Sequence, residues 1–277
     1  MMRDYIACNF PPNSDGAAVL EQLAQVLDPE LDESIIDLGF VRSVQLQCGH
    51  ADVTLQLPTS WCAVNFAYLM AEDVRGVLLR VEGIRQATVH LGDHCAAPEI
   101  EAAVNEGRPF AEAFPEEGAG SLAALRLSFL RKGFFIRQER LLRELRAAGC
   151  TAATACAVRL GEVSIENDKI VIRQPGTAPL NSGSAGNLRR YLQRRAELGL
   201  DCQFDTRLIV DLEGKPFSPD RLQAHYEAAR TMRVALEANG SFCRALLARR
   251  NLGDAASSGQ EQEETDRCTI MRIATSS

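Results

Sequence analysis

The chain has no apolar run long enough to span a membrane, and its first residues carry no secretory pattern. Both absences predict a cytoplasmic protein. Paired cysteines are missing as well: the nine cysteines, an odd number, are scattered over 277 residues without a close CxxC pair. That distribution excludes a small disulfide scaffold and fits a reduced chain. The stretch GTAPLNSGSAGN is rich in glycine and serine but lacks the G-x-x-x-x-G-K-[ST] order, so it is read as a surface loop and not as a phosphate cradle. Basic residues are scarce in the first part of the chain, where residues 1–118 hold 6 Lys/Arg against 19 Asp/Glu.

What is present suffices for two ordinary cores, since 46% of the residues are hydrophobic and 24% charged. The charge is split into blocks. Residues 1–118 carry a formal net of −13, residues 119–253 a net of +9, and the rest −3. The sign changes just after a stretch punctuated by Pro98, Gly107, Pro109, Pro115, Gly118 and Gly120. The organisation predicted is a first domain over 1–95, a linker over 96–120 with one short helix, a basic second domain over 121–253, and a disordered tail over 254–277. Opposed charge suits contact between parts or with partners; two differently solvated surfaces explain it equally well.

The first domain is organised around Asp52 to Ala63, DVTLQLPTSWCA. Val53, Leu55 and Leu57 alternate as in a half-buried strand, and Pro58 ends the run because it has no N–H for a ladder. Thr59 and Ser60 are the expected cap of a helix carrying Ala67, Met70, Ala71, Val74, Val77, Leu78 and Val81 on one face. Cys62 then falls in the first helical turn, where unpaired N–H groups favour a thiolate. Such a thiolate holds a soft metal or attacks an electrophile; the alternative is an inert, buried cysteine.

Around this stretch the pattern reads helix, hairpin, helix, strand. Val19, Leu20, Leu23, Val26 and Leu27 give the first helix, and Asp28-Pro29-Glu30 caps the next turn. A strand over Phe40–Leu46 turns through Cys48, Gly49 and His50 into the Asp52–Leu57 strand. Ile84, Ala87, Val89 and Leu91 form the third, and a right-handed crossover makes it parallel to the second. The result is a small two-layer α/β domain. Parallel pairing brings the tip beyond Leu91 toward the Cys62 loop, so His94 and Cys95 join Cys62 as candidate metal ligands, with Asp93 and His90 nearby.

The second domain is α+β, as is the whole chain. Helices are predicted on each side of a break at Gly133, then a hairpin turning at Asn167-Asp168, a helix over 188–198, a strand over 204–212, and a helix starting at Ser218-Pro219 and interrupted at Gly240. The run Arg126, Arg131, Lys132, Arg137, Arg140, Arg143 and Arg146 is read as a solvated helix face, and nucleic acid is not expected as a partner. His225 is read as a surface or packing residue.

Residues from about Leu23 to Leu91 resemble the MIP18-like family, which includes SufT- and PaaD-like proteins of iron–sulfur maturation. The features are DPEL at Asp28–Leu31, SIIDLGFV at Ser34–Val41, the strand–loop–cysteine element Val53–Cys62, and GIRQATVHL at Gly83–Leu91. The proline that usually follows the family's cysteine is Ala63 here. The resemblance implies an accessory protein, a carrier or client adaptor, with Cys62 as the cluster-contacting residue. It also implies a functional surface at Asp28 and Glu30, with which Thr59 is grouped. The cofactor implied is a transient iron–sulfur cluster or iron, and the partner a client metalloprotein or an assembly factor. A second copy of the chain, as a homodimer, is one source of the missing ligands. Two other functions stay open: a cysteine-dependent enzyme with His94 as base, and a metal-free interaction module using the charged blocks.

Overall fold

The computed structural model describes residues 7–9, 16–116, 122–174 and 180–274, with side chains over 16–116, 122–174 and 183–250. Two units result. The first comprises 1–28, 33–116 and 239–277, the second 29–32 and 117–238. Both mix helices and sheets, so the chain is α+β.

The first unit is built on β1 (Ala7–Asn9), α1 (Gly16–Leu23), β2 (Leu27–Asp28), β3 (Glu33–Ser34), β4 (Val41–Gln47), β5 (His50–Gln56), α2 (Val64–Leu78) and β6 (Gln86–Gly92). The main sheet has the order β1-β4-β5-β6. β4 and β5 are an antiparallel hairpin, while β5 and β6 run parallel with α2 as the crossover. Ala51, Val53 and Leu55 alternate toward the core beside Ala87, Val89 and Leu91, and Ala67, Met70, Ala71, Val74 and Leu78 of α2 are buried as the spacing predicts. The β4–β5 turn is a two-residue one in which Cys48 and Gly49 both have positive φ, the geometry that matches strand twist. A Cβ on Gly49 would lie 2.8 Å from the Gly83 carbonyl, so glycine is required there.

Leu27–Asp28 does not lead into a helical turn. It pairs with Glu33–Ser34 as a short antiparallel hairpin, with Asp32 at φ 53° closing the turn. Acidic and proline residues suit a tight turn as well as a helix start, and pairing of the flanking residues decided between them.

Residues 97–113 form α3 (Ala97–Glu106) and α4 (Phe110–Ala113) of the first unit. Pro98 opens α3 and Gly107, at φ 73°, closes it, so these residues punctuate a packed helix. Ile100, Ala103, Val104 and Phe110 are buried, and the Phe110 ring meets Tyr68 edge-on at 5.2 Å. α3 also covers the free edge of β6. Asn105 accepts from the Val89 N–H at 2.9 Å and donates to its carbonyl at 3.0 Å, and Glu101 accepts from the Leu91 N–H at 2.8 Å. A side-chain ladder thus occupies backbone groups that another strand would use.

The second unit contains α5 (Leu122–Ala147), α6 (Ala152–Ala157), β7 (Val163–Glu166), β8 (Lys169–Ile172), β9 (Leu180–Ser184), α7 (Ala185–Glu197) and the start of α8 (Pro219–Ala274), whose residues from Asn239 on group with the first unit. Gly133 does not break α5. It lies inside the helix, where a Cβ would come within 3.0 Å of Asp32 Oδ1 and 3.2 Å of Arg194 Nε. The glycine is there for close approach. β7 and β8 turn through Asn167 and Asp168, both at positive φ, as predicted, but β9 adds a strand in the stretch read as a loop. No strand forms over 204–212; Leu208, Ile209 and Val210 are buried there with isolated bridges at Arg207 and Val210. Gly240 does not interrupt α8, whose backbone runs from Pro219 to Ala274.

The expected solvated arginine face is corrected at Arg137. It is 1% exposed, its Nε 2.5 Å from Asp32 Oδ2. Arg194 meets the other Asp32 oxygen at 2.7 Å. Burial outweighs the attraction of Asp32 and pulls the Arg137 guanidinium down to about 10. Next to it on α5, Gln138 donates to the Val210 carbonyl at 2.8 Å and to Tyr191 Oη at 3.2 Å, and accepts from His225 Nε2 at 2.6 Å. His225 lies against the Phe135 and Phe217 rings and is a packing residue, as predicted.

Candidate functional site

Cys62 sits on the loop between β5 and α2, half-buried and free. It lies just before the helix and not in its first turn, because α2 starts at Val64 with Ala63 as its N-cap and no side-chain cap bond. Thr59 is therefore not the helix cap. Its Oγ1 lies 3.4 Å from Cys62 Sγ, a hydrogen bond in which either group can donate. Toward a thiolate only the hydroxyl can donate.

The second strand tip comes to the same loop, as the parallel β5–β6 register requires. His94 is 6% exposed. Its Nδ1 accepts from the Ala96 N–H at 3.2 Å, which leaves the proton on Nε2 to donate to the Cys62 carbonyl at 2.8 Å. The Cys95 N–H donates to the Ser60 carbonyl at 2.8 Å, and Cys95 is exposed. Two hydrogen bonds thus stitch 94–95 to 60–62. His94, expected as a metal ligand, has both ring nitrogens engaged by backbone groups, Nε2 by the Cys62 carbonyl and Nδ1 by the Ala96 N–H. Among the described residues no group of three or more His, Cys, Asp and Glu side chains is placed to hold a metal ion.

The remaining candidates are spread out. Asp28 is buried on β2, which packs against α2. Glu30 is half-buried in the turn 29–32, which groups with the second unit. His90 faces away from the core beside Val89 and Leu91, as the alternation predicts. Its Nδ1 lies 3.1 Å from Glu101 and its Nε2 3.2 Å from Asp52. Burial pushes its pKa down, but the hydrogen bonds and charges of Glu101 and Asp52 prevail, and it ends above the usual histidine value.

Two residues escaped the sequence reading. Trp61, the chain's one tryptophan, is 78% exposed beside Cys62. A large aromatic in a polar turn was the available signal. The other is Arg250, whose Nη1 donates to the Leu57 carbonyl at 2.8 Å. Nothing in its surroundings in sequence sets it apart from the other arginines.

A half-exposed cysteine at a strand tip, clamped by a second tip, is what comparison with known proteins has to explain. Residues 16–91 match the family described as iron-sulfur cluster assembly protein. The resemblance read from the motifs is thereby shown for this N-terminal part. A curated relative, an iron-sulfur cluster carrier protein of Deinococcus radiodurans, is 33% identical over 75 residues. The matched part is 27% of this chain and 21% of that protein, so the chain spans about a fifth of the relative's length. The matched residues take in β5, the Cys62 loop, α2 and β6 up to Leu91, and end before His94. No helix among the described residues is long and apolar enough to cross a membrane.

Proposed function

We propose that the protein serves in iron–sulfur cluster maturation, with iron or a cluster as cargo contacted by the Cys62 thiolate and delivered to a client metalloprotein or taken from an assembly factor. The observation that carries this reading is the Cys62 loop itself: a half-exposed thiol with a hydroxyl donor at 3.4 Å and a backbone held by His94, inside the matched domain. A soft thiolate suits iron and clusters, and one chain contributing one cysteine leaves the other ligands to a second copy, a small thiol or the client. His94 positions the loop and does not ligate. Cys95, exposed on the stitched tip, is the second thiol within the same pair of loops. Thr59 can donate to the thiolate, and Trp61 offers apolar surface beside it.

The test is client maturation by the folded Cys62→Ser protein, with Cys95→Ser as comparison. Loss of maturation only with Cys62→Ser supports the carrier reading, and iron or cluster absorption after anaerobic purification should disappear in the same variant. Full maturation by Cys62→Ser removes the thiol chemistry and leaves a metal-free adaptor.

A further inference from the structure

The residue that joins the two strand tips lies far outside the matched domain. Arg250, on α8, donates through Nη1 to the carbonyl of Leu57, the residue that leaves β5 for the cysteine loop, at 2.8 Å. Through Nη2 it donates to the carbonyl of Asp93, the residue that leaves β6, at 2.9 Å, and it also meets the Asp93 carboxylate. The Arg250 side chain is 15% exposed, whereas the Asp93 carboxylate is 76% exposed. Asp93 has φ 59°, a left-handed conformation that non-glycine residues adopt rarely and keep when neighbours hold them. The next residue is His94, whose bond to the Cys62 carbonyl depends on how Asp93 turns the chain.

This stretch of α8 is anchored elsewhere in the same unit. Arg244 pairs with Glu33 at 2.7 Å, and Leu247, 4% exposed, lies against the space beside Gly39. Arginine suits the role because its planar fork reaches two carbonyls and a carboxylate together, which the single ammonium of lysine does not.

We infer that Arg250 is a positioning residue for the Cys62 loop: it fixes the ends of β5 and β6 so that His94 locks the cysteine backbone. The inference deepens the reading of Cys62 as the functional thiol and rests on it. The C-terminal helix is then part of the site, and a chain ending before it has the cysteine without its frame.

The test uses the full chain with Arg250→Gln. The alkylation rate of Cys62 by iodoacetamide is read by mass spectrometry against Cys48, an exposed cysteine at the other end of β5. The His94 Nε2–H signal is read by nitrogen-resolved NMR. The expected result is at least a threefold change in the Cys62/Cys48 ratio and faster exchange of the His94 proton, with the melting temperature nearly unchanged. Arg250→Lys, which keeps the charge but not the fork, should not restore either readout. An unchanged ratio with a retained His94 signal in folded Arg250→Gln overturns the proposal. Should that variant not fold, folded Arg250→Lys is the second test, and an unchanged ratio with a retained His94 signal there overturns it equally. Neither readout involves iron, so failure here leaves the maturation test standing, and failure of maturation leaves this one standing.

Discussion

The two units use polar residues in opposite ways. In the first, the polar groups of interest lie at strand tips and edges, half-open to water: Cys62 with Thr59, Cys95, and His90 between Asp52 and Glu101. In the second they are buried and consumed by structure: Asp32 with Arg137 and Arg194, Gln138 with Tyr191 and His225, and Glu139 with Arg233 at 2.7 Å. These groups pair with one another inside the fold, and little of their surface is open to a ligand.

The sharpest break in that contrast is expected at Asp32. Asp32→Ala leaves the Arg137 guanidinium buried and unpaired, and removal of one partner of a buried pair costs about 3–5 kcal/mol. Urea unfolding should show that loss. A loss below about 1 kcal/mol would mean that Arg137 reaches water and that the pair is not structural.

Tyr191→Phe comes next. It keeps the ring but removes the hydroxyl that donates to the Leu208 carbonyl at 2.7 Å and accepts from Gln138. About 1–3 kcal/mol should go with the unsatisfied groups. Cys62→Ser, by contrast, should cost less than about 1 kcal/mol, as expected of a conservative change at a half-buried site. An equal loss in the two variants would erase the distinction between structural and functional polar groups.

The smallest effect, and the most specific, concerns two histidines. His90 has a raised pKa in the folded state, so it adds stability below the unfolded value near 6.5, lost as pH rises through the folded value. His225 is pushed down by burial, with Asp211 opposing, so it stays neutral in the fold and stability falls as pH drops below about 6.5. His90→Gln should remove the alkaline-side loss and His225→Gln the acid-side loss, read as melting temperature against pH. Parallel slopes in the two variants would contradict the different surroundings of these rings.

Much of the first unit was legible in the residues. The alternation of Val53 and Leu55 located β5, the spacing of Ala67 to Leu78 located α2, and the crossover rule made β6 parallel, which put His94 and Cys95 beside the Cys62 loop. The errors have a common cause in residues whose local preference admits two states. Asp28-Pro29 fits a helix start and a hairpin turn, and Gly133 fits a break and a close approach. In each case pairing or packing with distant residues chose.

At the site the division is equally physical. Periodicity and turn chemistry determined that a cysteine leaves a strand tip, because those signals are local and repeat within a few residues. Only the tertiary structure decided what surrounds it. The tautomer and engagement of His94 follow from the Cys62 carbonyl and the Ala96 N–H, and the bonds of Arg250 from carbonyls 193 and 157 positions away. A hydrogen bond of about 3 Å depends on the folded path of the whole chain between its ends, and no local pattern encodes that path.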